Sequence, residues 1–361
     1  MRKRGTVSTL RLLAATAFAP LLASAQSGAP PISSIDIYGS SVFDSAAVRA
    51  EFEPDLMRFI ELGWRAGFGS NSAPANAAEL EAEMEATSTK IRSALESRVP
   101  LAYFNIGVTL DFGPPQQVEI SIDVVEKADE ARRMPFHSAP TQRLDDPGGV
   151  LALWAEYQRK MYELALAGAP MLVDDSNCPV LHCIAPFDLP DLAPFLPRLN
   201  AGAEQHEDAL YAVARSSADA EERAMALFVL AHTKDVQRLV PLLANAIYDP
   251  NGGVRNNAMR VLMFLAQKRP DADFPVRDLI AALDFPTSAD RNKAAYTVAA
   301  LAEQPKYRAT IRADAVPAAL HLLRVEKPNN HDPAYTILKQ VSGEEFGERD
   351  YAAWERWAAA R

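Results

Sequence analysis

The chain has 361 residues, 48% of them hydrophobic and 23% charged, with a net charge of −10. That is ordinary globular usage at a length that implies two or three domains, and it excludes a fibrous chain or wholesale disorder. Two cysteines are too few for a disulfide scaffold or an all-cysteine zinc site, and the acidic balance repels phosphate backbones, which argues against a nucleic-acid partner.

The first residues read as an address. Arg2, Lys3 and Arg4 are basic, Leu12 to Ala23 are almost continuously apolar, and Ala23-Ser24-Ala25 offers small residues before Gln26. This is the pattern of a Sec-type signal peptide, residues 1–25, with cleavage after Ala25. A short membrane anchor is the alternative, but the apolar stretch is too short to span and Gly28-Ala29-Pro30-Pro31 cannot continue a helix. Losing Arg2, Lys3, Arg4 and Arg11 takes the net charge from −10 to −14. Beyond residue 25 no run of 18 apolar residues occurs, so no integral membrane segment is expected after cleavage. The expected location is periplasmic or secreted.

Residues 32–127 predict a small α/β domain. Ile35 and Ile37 alternate with polar residues up to Gly39, as a short strand does. Asp44 or Ser45 then caps a helix carrying Val48, Phe52, Leu56, Phe59 and Ile60 at helical spacing. Residues 63–77 read as a loop, and a second helix bears Leu80, Met84, Ile91 and Leu95. Phe104, Ile106, Val108, Leu110 and Phe112 alternate with polar residues. After Gly113-Pro114-Pro115-Gln116 the same alternation returns in Val118, Ile120, Ile122 and Val124. Two matched alternating runs around a Gly/Pro turn predict an antiparallel hairpin with one apolar face, which the two helices cover.

The order β-α-α-β-β resembles a POTRA (polypeptide-transport-associated) domain, on Ser34-Ile35-Asp36-Ile37-Tyr38-Gly39 at the front and Val118 to Glu126 at the back. The resemblance implies an envelope interaction module that adds a partner strand to an exposed sheet edge. The alternative is an α/β domain whose edge is covered by the rest of the chain.

Residues 128–191 connect. Pro135, Pro140, Pro147, Gly148 and Gly149 mark a linker, and Leu151, Trp154, Gln158, Met161 and Ala165 share a helix whose aromatic face belongs to a core. Asp145-Asp146 and Asp174-Asp175 read as turn residues rather than catalytic pairs. Cys178-Pro-Val-Leu-His182-Cys183 permits a disulfide, two free thiols or a metal site. Three ligands in six residues are crowded and no second Cys/His cluster exists, so in an exported chain the Cys178–Cys183 disulfide is the expectation.

Residues 192–361 repeat. Leu230-Ala231, Leu265-Ala266 and Leu301-Ala302 recur at 35 and 36 residues. Arg255-Asn256-Asn257-Ala258 aligns on Arg291-Asn292-Lys293-Ala294, and Ala295-Tyr296-Thr297-Val298 returns 39 residues on as Ala334-Tyr335-Thr336-Ile337. Each such helix is followed by a second apolar one: residues 239–243, 279–283 and 318–323. Two helices per period of this length give an α-solenoid of about four units, opened by residues 192–216. The units resemble HEAT repeats, most closely at Asp249-Pro250-Asn251-Gly252-Gly253-Val254-Arg255. Charge between Glu344 and Arg361 blunts the end, where Trp354 and Trp357 pack.

The expected fold is thus a small α+β domain followed by an all-α HEAT-like solenoid. No G-x-S-x-G, H-E-x-x-H, phosphate loop or Walker pattern is present, and no cofactor or metal is expected. The reading that follows is a non-catalytic protein-interaction scaffold of the bacterial cell envelope. If the second helix of each unit lines a concave surface, Arg238, Asn245, Arg277, His321 and Arg324 are the contact residues. The alternative is an exported enzyme with a site around His182 and Asp174, which requires convergent titratable side chains there. Fold alone does not decide between them.

Overall fold

The computed structural model describes residues 29–66, 74–111, 115–171, 173 and 177–360. The expected signal peptide, Phe112, the turn at Gly113-Pro114 and the pair Asp174-Asp175 lie outside the described residues.

The N-terminal part runs β1 (Ile32–Tyr38), α1 (Ser45–Arg65), α2 (Ala77–Glu96), β2 (Leu101–Asp111) and β3 (Gln117–Glu126). The sheet order is β1-β3-β2, with β1 parallel and β2 antiparallel to the central β3. Ile35 and Ile37 lie opposite Ile120 and Ile122, which in turn face Val108 and Ile106. One face of the sheet is therefore apolar, and Phe52, Leu56, Phe59, Ile60, Leu80, Met84, Ile91 and Leu95 close over it in one buried cluster. Asp44 caps α1, its carboxylate accepting from the Ala47 amide, while the Ser45 hydroxyl accepts from the Ile37 amide. The helix α1 continues through Arg65, into the stretch expected as a loop from residue 63, of which residues 67–73 lie outside the described residues.

Gly39 ends β1 at φ +107°, and a Cβ there would sit 2.0 Å from the Val124 carbonyl and 2.2 Å from the Arg133 guanidinium. Only glycine fits, by conformation and by space.

A short helix α3 (Glu130–Arg133) follows, then an extended strap, then α4 (Val150–Leu166), whose Leu151, Trp154, Tyr157, Met161 and Ala165 are buried. Asp146 opens α4 by accepting from the Leu151 and Ala152 amides. The helices after it are α5 (Phe195–Gln205), α6 (Glu207–Ser216), α7 (Ala220–Leu230), α8 (Val236–Ala246), α9 (Gly252–Lys268) and α10 (Val276–Ala282). They continue as α11 (Ser288–Ala302), α12 (Pro305–Asp314), α13 (Val316–Leu323), α14 (Pro328–Ser342) and α15 (Tyr351–Ala359).

These helices form a solenoid. The helices α4, α7, α9, α11 and α14 pack each on the next as one stacked layer. Against it lies a flanking layer in which α6, α8, α10 and α13 each pack on the helix that follows across a short turn. The units pair differently from the sequence expectation: a recurring Arg-Asn helix closes on the apolar helix before it, not the one after it. The extra helix α12 sits between α11 and α13, which accounts for the longer third spacing. One continuous core runs from Tyr38 to Trp354. Trp354 is fully buried against Tyr335, Phe346 and Trp357 and closes the end.

Candidate functional site

The short turns between paired helices carry a ladder of buried ion pairs. Arg223, Arg255 and Arg291 each stand four residues after the N-cap of α7, α9 and α11. Each folds one guanidinium nitrogen onto turn carbonyls: of Ser217; of Asp249 and Pro250; of Phe285 and Pro286. Arg223 then pairs with Asp249 of the next turn, and Arg255 with Asp290, both at 2.8 Å. The third rung differs. Asn329 and Asn330 stand where the 39-residue alignment places the next Asp and Arg. The acid paired with Arg291, at 2.6 Å, is instead Asp123 of β3.

The sheet thus docks its polar face on the turns of the solenoid. Asp123 also accepts from the Ser288 amide and the Ser121 hydroxyl. Asp36 of β1 accepts from the amides of Glu326 and Lys327, and burial raises its pKa. Tyr38 donates to Asp284 at 3.1 Å, and the Arg291 guanidinium lies 3.8 Å from its ring centroid. Arg133 donates to the carbonyls of Gly39, Val124 and Asp284. Next in the chain, the strap runs along the same turns. The Arg255 guanidinium lies 3.9 Å from the Phe136 ring centroid, the His137 amide donates to the Tyr248 carbonyl, and Gln142 accepts from the Ala218 amide. The stretch read as a linker is packed, and sheet and solenoid share one buried polar seam.

With the turns covered, the helix layers remain as the outward surfaces. Every contact residue expected from the sequence falls on the flanking layer, and most are already engaged. Arg238 pairs with Asp208 at 2.5 Å and lies 4.0 Å from the Tyr211 ring centroid. Arg277 pairs with Asp314 at 2.9 Å, and Arg324 pairs with Glu355 beside the Tyr351 ring. The Asn245 amide nitrogen is 3.4 Å from His137 Nε2, and His321 is exposed on α13. Such exposed pairs are individually weak, but they balance the charge of this face.

The stacked layer carries a different set. Tyr162 and Tyr296 are among the few exposed large hydrophobic side chains of the described residues, at 46% and 38% exposure. Arg260 of α9 and Lys293 of α11 lie on the same layer, and burial lowers the pKa of both, that of Lys293 to about 7. These residues were not singled out from sequence. The signal was available, because Arg260 and Tyr296 occupy one position in successive repeats.

His182 packs against this layer as a core side chain. It is 3% exposed, stacks on Phe264 at 4.3 Å, and neither ring nitrogen has a hydrogen-bond partner. Burial first, then the charges of Arg260 and Lys268, hold its pKa well below 6.5, so the ring is neutral. Asp174, its expected companion, lies outside the described residues. The loop is fixed by the Cys178–Cys183 disulfide, with Cα atoms 5.8 Å apart, and by the Leu181 amide donating to the Ala231 carbonyl. No thiol is expected on titration of the denatured, unreduced chain. Replacing both cysteines by serine is expected to lower stability by about 2 kcal/mol in urea unfolding, as chain entropy gives for so short a loop.

His232 is also buried, its Nδ1 2.8 Å from Asn200 Oδ1, and burial lowers its pKa to about 4. Both histidines are neutral in the folded chain and protonate on unfolding near pH 6.5. Stability is therefore complete above that pH and falls below it. The expected slope below pH 6.5 is up to about 1.4 kcal/mol per pH unit for each ring, and for His232 it extends down to about pH 4. Unfolding across pH checks this, and a His232→Phe variant is expected to lose its share of the slope.

No protein-family model matches the chain, and no curated protein does. Among solved structures it is similar to a designed armadillo repeat protein in complex with peptide (KR)4, at 18% identity and a TM-score of 0.35, over 52% of this chain and 85% of that one. A second designed armadillo repeat protein is 16% identical with a TM-score of 0.35, over 54% of this chain and 92% of its own.

Proposed function

We propose that the chain is an exported, non-catalytic protein-interaction scaffold of the bacterial cell envelope. In this reading a signal peptide (1–25) precedes a POTRA-like α/β domain (32–127), a connecting region (128–191) and a HEAT-like solenoid (192–361). One observation carries it. The ladder of buried ion pairs, completed by Asp123 of the sheet, fixes the helix layers in register and leaves their outer faces as long, rigid surfaces. Stacked repeats used in this way present extended binding faces. The β-strand order and the mixed sheet are compatible with the POTRA-like reading. An enzyme working at His182 draws no support from the described residues, since the ring is sequestered against Phe264 and the charged groups acting on it among them are cationic.

Crosslinking in the native envelope followed by mass spectrometry tests the scaffold. The intact chain is expected to recover discrete protein partners. Arg277→Glu with Arg324→Glu probes the flanking layer, and Tyr296→Ala probes the stacked layer. Loss of a partner in either set assigns the face, whereas unchanged recovery in both, or no partner for the intact chain, overturns the proposal.

A further inference from the structure

We propose that the stacked-layer surface around Arg260 and Lys293 binds a carboxylate side chain of an extended, acidic partner segment, with Tyr162 and Tyr296 gripping its neighbours. This rests on the scaffold reading and gives it a partner chemistry.

The starting observation is a missing counter-charge. The ladder arginines of this chain, buried like Lys293, are each paired with an acid: Arg223 with Asp249, Arg255 with Asp290, Arg291 with Asp123. Arg260 and Lys293 break that rule. Lys293 is 8% exposed, and its ammonium makes one hydrogen bond, to Asn292 Oδ1 at 2.5 Å, where three donors are available. The charges acting on it are Arg260 and Lys327, both positive. Arg260 is half-buried, with a buried Nε that lacks an acceptor, and among the described residues the ionisable group acting on it is the phenol of Tyr162. Asp332, one repeat on, acts on Tyr296 and Glu119 instead.

A guanidinium does not lose its proton, and for Lys293 an unpaired cation taken from water is costly. An anion arriving between the two restores the pairing found at each rung of the ladder. The neighbouring aromatics argue for a peptide rather than a free ion. Tyr162 on α4 and Tyr296 on α11 stand exposed on the same layer, with α7 and α9 between their helices, and a small anion makes no use of them. Tyrosine and arginine together are the side chains that dominate protein–protein contacts. Phe264 of α9, half-buried over the neutral His182, adds an apolar side chain beside them. In a chain of net charge −10, this patch is a local inversion of sign that selects acidic partners and rejects basic ones.

Fluorescence anisotropy of the full chain decides it, with a fluorescein-labelled peptide alternating glutamate and leucine. A peptide with lysine in place of glutamate and inorganic phosphate are the comparison probes. The glutamate peptide is expected to bind, the lysine peptide not to bind, and phosphate not to displace the bound peptide. Arg260→Met and Lys293→Met are each expected to weaken binding by about ten- to a hundredfold, as loss of a charge-assisted hydrogen bond does. Arg92→Met, exposed on α2, leaves it unchanged. Should Lys293→Met fail to fold, Lys293→Gln keeps the hydrogen bond to Asn292 and serves instead. Preference for the lysine peptide, displacement by phosphate, or equal binding by the variants overturns the proposal. Envelope partners lost only on Arg277→Glu with Arg324→Glu would sink this site while leaving the scaffold standing.

Discussion

Replacing Asp123 by alanine is expected to lower the free energy of unfolding by about 3–5 kcal/mol, the cost of stranding a buried charge. Asp123 and Arg291 are each 1% exposed, so water cannot substitute for the lost carboxylate. The Arg291 guanidinium would keep its bonds to the Phe285 and Pro286 carbonyls but lose the acid that pairs with it at 2.6 Å. The Ser288 amide would lose its acceptor as well. Urea unfolding of the variant measures the loss. Pairing Asp123→Leu with Arg291→Met is expected to recover most of it, because two apolar groups replace two charges. A loss below about 1 kcal/mol in the single variant would show that the pair is dispensable.

Trp354→Ala is expected to cost about 3–5 kcal/mol, the range for truncating a fully buried tryptophan. The indole is wholly buried, donates to the Gly347 carbonyl at 3.0 Å, and packs edge-on to Tyr335, Phe346 and Trp357. In a stack whose units contact only their neighbours, the damage is local. Amide exchange should quicken in α14 and α15 while α7 and α9 keep their protection. Uniform quickening along the whole chain would contradict a repeat architecture.

The apolar half of this fold was legible in the sequence, and the polar half was not. The alternations around Ile106 and Ile122 announced their strands, because side-chain period two is a local property. The 35- and 36-residue recurrences announced the solenoid, and the short spacing of Cys178 and Cys183 announced their bond. Asp36 and Asp123 looked like the outward half of an alternation. They are buried because their partners, Glu326, Lys327, Ser288 and Arg291, come from 165 or more residues away. No periodicity connects them. The pairing of helices across the Asp-Pro turn was misjudged for a similar reason: repetition fixes the period but not where a unit begins. That choice placed the expected contacts on the flanking layer and passed over Arg260 and Lys293.

Native-state amide exchange with increasing urea tests most directly whether sheet and solenoid are one body. With Asp36, Tyr38, Asp123 and Arg133 all tied into the seam, β1 and β3 should open in the same transition, at the same free energy, as α11. If β1 and β3 instead exchange at a distinctly lower free energy while α11 stays protected, the seam is a loose contact and the rigid composite does not exist.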